Sequence, residues 1–165
     1  GIAAAAGGGE TWEAAELAAL ERCLANSPAT WRVVVGHHPI VSYSSKHGSQ
    51  PELRGIREVM ERLGATAYFN GHDHNLQHVV PVMKAPTPGG NPAPVVHFVT
   101  SGAGSRLRDD IDMMIVPNDG SLRYTHGSSP GFVVLRANRD VLRIMHHVVP
   151  GGTLAHTEEI WRVMS

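Results

Sequence analysis

The segment Gly71-His72-Asp73-His74-Asn75-Leu76-Gln77 places two imidazoles one residue apart, directly after an apolar run at 65–69. In extended backbone, residues i and i+2 project to the same side, so His72 and His74 can address one point or two neighbouring points. Neutral imidazole is the commonest protein ligand for zinc, iron and related metals. Gly71 is expected to let the chain turn sharply as it leaves a strand. Taken alone, His-x-His is as compatible with two solvated loop residues as with a ligand pair. A second segment, Val34-Val35-Gly36-His37-His38-Pro39, tips the balance because it repeats the layout of apolar run (here β-branched), glycine and histidine.

Between the two segments, Leu53, Ile56, Met60 and Leu63 are apolar at helical spacing, and Pro51 suits a first helical position. Strand, helix, strand over about 40 residues reads as one βαβ unit with a right-handed crossover and parallel strands. Parallel strands end at one edge of the sheet, so His37 emerges beside His72 and His74. That carboxyl edge is where open α/β sheets build their sites.

Composition sets limits on partners. The chain has 165 residues, 42% hydrophobic content and a formal net charge of -1. It can bury one ordinary core, and nothing in its charge recommends nucleic acid or an anionic membrane as partner. No apolar run approaches the ~20 residues of a membrane-spanning helix. The single cysteine, Cys23, falls in a predicted helix at 11–25 with Leu17, Leu20 and Leu24 on one face, and is expected to be a buried free thiol. Eleven histidines exceed what one site can use. His78, His97, His126, His146, His147 and His156 are expected to be packing or surface residues.

Residues 1–10, low in complexity and rich in Ala and Gly, read as a linker or truncated start; they have no charged n-region and no continuous apolar h-region, so they do not read as a signal peptide. Residues 11–165 read as one α/β unit. After the His-x-His loop, a short strand is predicted at 76–80, a Pro/Gly-rich surface loop at 81–94, a strand at 95–100 and a tight turn of small residues at 101–105. Residues 106–130 read as irregular and polar. Strands at 131–137 and 141–149 form a hairpin across Asn138-Arg139-Asp140. Parallel strands thus come first and antiparallel strands last.

Taken in this order, Val34-Val35-Gly36-His37, the Gly71–Gln77 motif and Phe98-Val99-Thr100-Ser101-Gly102-Ala103-Gly104 resemble the C-terminal half of the purple acid phosphatases, nearest to the small tartrate-resistant type, within the calcineurin-like metallophosphoesterases. The resemblance runs from Trp12 to about Ile160. It implies the C-terminal part of a four-layer α/β/β/α sandwich and hydrolysis of phosphate monoesters at a binuclear centre holding Fe(III) and a divalent Fe, Zn or Mn. By the same resemblance, His37 and His72 bind the divalent metal, His74 binds the ferric ion, and His47 faces the substrate as a phosphate contact or proton donor. The loop carrying His47 is one residue longer than in mammalian-type enzymes. Relatives often carry Tyr or Ser at the position of His38, which argues for a supporting role there.

The family's Asp-x-Gly, Gly-Asp-x-x-Tyr and Gly-Asn-His-Glu/Asp blocks do not occur in this sequence; Gly90-Asn91 is followed by Pro92. The chain is therefore expected to be the C-terminal portion of a longer enzyme and inactive by itself. The substrate class implied is a small-molecule phosphoester. The sequence leaves oligomeric state and compartment open, and the resemblance admits a secreted or vacuolar/lysosomal-type one. Competing readings are a metallophosphodiesterase on the same fold, a non-catalytic metal-binding or interaction domain, and a mononuclear three-histidine zinc site.

Overall fold

The computed structural model describes residues 12–82 and 95–162. Helix α1, Trp12–Ala25, leads into strand β1, Val33–Val35. A 3₁₀ turn at Pro51–Leu53 opens helix α2, Arg54–Leu63, with Pro51 in the predicted first position. Gly64, at φ 69°, ends α2 in the left-handed region that favours glycine, and its N–H returns to the Met60 carbonyl. Strand β2, Ala67–Asn70, then pairs parallel with β1 in the register Val33↔Ala67 to Val35↔Phe69. The predicted βαβ unit is present.

The chain continues through β3, Leu76–Val79, and β4, His97–Ser101. Strand β4 adds parallel to β2, whereas β3 runs antiparallel beside it. The segment expected to be irregular contains a further strand, β5, Leu122–His126, paired antiparallel with β3. The resulting mixed sheet has the order β1-β2-β4-β3-β5. Strands β6, Gly131–Ala137, and β7, Val141–Val148, form the predicted hairpin. Strand β8, Thr153–Trp161, which the sequence reading did not anticipate, completes a second sheet of order β6-β7-β8. Residues 83–94 of the predicted surface loop lie outside the described residues.

Side-chain alternation in the strands divides the interior in two. Tyr68, Phe98 and Val79 point to the helix side, where Leu24, Val59 and Met60 of α1 and α2 meet them. Ala67 and Val99 point the other way, against Ile144 of β7. Helices, mixed sheet and antiparallel sheet thus form three layers of the α/β/β/α sandwich. Cys23 departs from expectation: it is exposed. Leu17, Leu20 and Leu24 do turn inward, and at about 100° per residue the position before Leu24 leaves that face.

Candidate functional site

The carboxyl ends of β1 and β2 deliver the two histidine segments to one place. The N–H groups of Gly71 and His72 both donate to the His37 carbonyl, at 3.2 and 3.0 Å, so the segments are tied backbone to backbone. Gly36 and Gly102 make the approach possible. A Cβ on Gly36 would strike the Tyr68 hydroxyl, and one on Gly102 would strike the Asp73 and Gly71 carbonyl oxygens. Gly71, expected to supply the turn, has no positive φ and nothing near its absent side chain. The crowding falls on Gly102 instead.

His72 Nδ1 lies 3.1 Å from His37 Nε2. The His38 ring is 4.4 Å and the His47 ring 4.5 Å from that of His72, centroid to centroid. His37, His38 and His72 each offer a ring nitrogen, and these nitrogens lie within 4.8 Å of one another. His47, from the longer loop, leans over this group. His74 stands apart, its Nδ1 2.8 Å from the Arg106 carbonyl. Of the sequence-predicted residues, the structure therefore gathers His37, His72 and His47, adds His38, and turns His74 toward the 106–112 segment.

Desolvation, and then the neighbouring His38, His47 and His37, lower the pKa of His72, with Asp73 opposing. These influences favour the neutral form of the ring, which carries a lone pair for a metal.

Beneath the histidines lies a buried polar network that the sequence reading did not assign. The Asp73 carboxylate is turned inward, accepting from the Ser42 hydroxyl. Gln77 accepts from the Tyr43 N–H at 2.9 Å and donates toward Ser42, Ser44 and Asn75. Asn75 in turn donates to Ser44 and to Asp110. The network joins the Gly71–Gln77 motif to the loop that carries His47, and backbone bonds from Ser45 to Asp110 and from Asp112 to Tyr43 close it from the third side. The signal was legible in principle, because Asp73, Asn75 and Gln77 alternate with the site residues. A cleft lined by Leu17, Leu20, Val35 and Tyr68 lies on the α1 side and holds none of these imidazoles.

The calcineurin-like phosphoesterase family model matches residues 4–76. Purple acid phosphatase 4 of Arabidopsis thaliana is 33% identical over 139 residues, which are 84% of this chain and 37% of that protein. Tartrate-resistant acid phosphatase type 5 of Oryctolagus cuniculus is 29% identical over 146 residues, 86% of this chain and 41% of the relative. In fold, the purple acid phosphatase PPD1 from yellow lupin (Lupinus luteus) seeds superposes with a TM-score of 0.71 at 17% identity, covering 94% of this chain and 28% of that one. The fold is similar to the purple acid phosphatase metallophosphoesterase fold. In sequence the chain is similar to purple acid phosphatases over most of its own length. It spans about two fifths of the length of these relatives.

Proposed function

We propose that this chain supplies the histidine-bearing part of a metal-dependent centre that hydrolyses phosphate monoesters, acting within a longer chain. The observation that carries the reading is the convergence of His37, His38 and His72 at the carboxyl edge of β1 and β2, with His47 above them. Three neutral imidazoles fit a divalent ion of the zinc or iron type. They do not by themselves fit a ferric ion, which favours anionic oxygen donors. The nearby carboxylate of Asp73 is turned inward, with one oxygen accepting from Ser42.

On this reading His37 and His72 hold the divalent ion, joined by His38 in the geometry described above. His74 is the family's ligand position for the second ion, and its Nε2 is the nitrogen not engaged with Arg106. A bound divalent ion supplies Lewis acidity toward a phosphoryl oxygen. On the same reading His47 donates a proton from a ring nitrogen to the leaving oxygen. The polar network below ties the loop that carries His47, at Ser42, Tyr43 and Ser44, to the motif that carries His72. The His37, His38 and His72 triplet equally supports a single-ion, three-imidazole site, and metal stoichiometry separates the two readings.

The test is metal content and hydrolysis of p-nitrophenyl phosphate and an alkyl phosphate by the intact protein. His72→Ala is expected to lose metal and to reduce activity by far more than the 10–100-fold typical of a lost supporting contact. His47→Ala is expected to keep metal and slow the alkyl ester by roughly 10²–10⁴-fold. Full metal retention and turnover in His72→Ala would refute the assignment.

A further inference from the structure

Three more histidines, none of them from the loops just described, meet between the two sheets. His78 of β3, His146 of β7 and His156 of β8 come from both sheets and bring one ring nitrogen each within 4.8 Å of the others. His78 and His146 are fully buried, and His156 is half-buried. Tyr124 of β5 stacks on the His156 ring at 5.1 Å and 5°, closing one side of the group.

Nδ1 of His78, both ring nitrogens of His146 and Nε2 of His156 have no hydrogen-bond partner among the described residues. The Gln77 backbone favours a proton on His146 without closing a bond of good geometry. An orphaned buried nitrogen bears its full desolvation penalty, so this cluster is out of keeping with a packed core. Burial above all lowers the pKa of His78, His146 and His156 from the ordinary imidazole value. What remains is a set of neutral rings with available lone pairs.

His97 of β4 adds orientation. Its Nδ1 lies 3.0 Å from His78 Nε2. With the proton of that bond on His78 Nε2, the orphaned Nδ1 of His78 is the lone-pair nitrogen. Metal-ligating histidines usually donate their second ring N–H to a neighbour in this way.

We propose that His78, His146 and His156 form a second metal site, buried between the two sheets, which binds a zinc-type divalent ion through three neutral imidazoles. The donor set suits zinc, copper, nickel or iron rather than calcium or magnesium. A carboxylate oxygen of Glu158, 3.8 Å from His156 Nε2, is the anionic group beside it. Arg123 is the opposing cation, acting on His78, His97 and His156. The site shares no residue with the exposed His37, His38 and His72 group. Its role is structural: the fully buried apolar residues between the sheets are Ala67, Val99 and Ile144, with Phe69, Val133 and Ile160 packed around them, and the ion staples β3 to β7 and β8.

The experiment uses the 165-residue chain carrying His37→Ala and His72→Ala, which removes the exposed group first. After stripping with EDTA, titration with Zn²⁺, and with Co²⁺ as a spectroscopic probe, is expected to give one ion per chain and a raised thermal midpoint. Adding His156→Phe keeps a ring against Tyr124 but deletes a ligand. It is expected to weaken Zn²⁺ binding by more than the ~100-fold that loss of a supporting contact brings. His146→Asn is the buried counterpart; where circular dichroism shows it unfolded, His156→Phe decides. No ion bound by the folded double variant at micromolar free Zn²⁺, or unchanged affinity on adding His156→Phe, would overturn the site. Failure of the exposed site would show separately, as metal content unchanged by His37→Ala and His72→Ala.

Discussion

Gln77→Met tests whether the His47 loop is anchored through the network or merely lies near it. Methionine keeps the length of the side chain and removes its amide. Ser42 and Ser44 retain other partners, Asp73 and Asn75 respectively. The Tyr43 N–H and the Asn75 amide oxygen each lose the 2.9 Å bond that Gln77 makes to them. At ~1–3 kcal/mol for each buried group left without a partner, the expected destabilisation is about 2–6 kcal/mol. That is a large share of the ~5–15 kcal/mol by which ordinary domains are stable. In urea unfolding the midpoint should fall by roughly 1–3 M with the slope unchanged, taking a mid-range slope of about 2 kcal/mol/M. Hydrogen exchange at the Tyr43 amide should accelerate in native buffer. A loss below about 0.5 kcal/mol, with Tyr43 still protected, would refute the anchoring role.

Gly102→Ala should destabilise by at least the ~1–3 kcal/mol of an overpacked core, because the colliding atoms at Asp73 and Gly71 are backbone; an unchanged thermal midpoint would contradict the crowding. In the metal-free chain, His97 and His146 are held at about 4 by burial, below their ordinary 6.5. The unfolded chain therefore binds protons that the native state refuses, so stability is full above pH 6.5 and falls as pH drops from 6.5 toward 4, by about 1.4 kcal/mol per pH unit per proton. Denaturant midpoints that stay flat from pH 7 to 5 would disprove this. Cys23, exposed on α1, should react with a water-soluble disulfide reagent without denaturant, and a requirement for unfolding would show the thiol to be covered.

How much of this was legible in the sequence depended on whether partners lie close along the chain. The β1–α2–β2 unit was readable because Pro51, the periodic Leu53, Ile56, Met60 and Leu63, and the two short apolar runs that flank them all point to one answer. Strand β5 was passed over because Leu122-Arg123-Tyr124-Thr125-His126 has little apolar content, although its alternation and the flanking Gly120 and Gly127 were there to be read. Strand β8 presents one face to solvent and only His156, Glu158 and Ile160 inward, a pattern too weak to separate from a polar tail. Convergence of His37 with His72 followed from parallel pairing. The meeting of His78, His146 and His156 could not follow from sequence, because it depends on how one sheet lies on the other.

Strand β3 carries a demand of its own. Gln77 points from it into the network under the histidine loops, while the next residue, His78, points between the sheets. Side chains alternate faces at every residue, so a slip of one position would exchange the two. An amide would then face three imidazoles, and an imidazole would face the serine hydroxyls. Two unlike polar surroundings thus check the alignment of a four-residue strand that has little length of its own with which to resist sliding. Misaligned pairing is penalised on both faces at once, and the motif that positions the chemistry also proofreads the sheet.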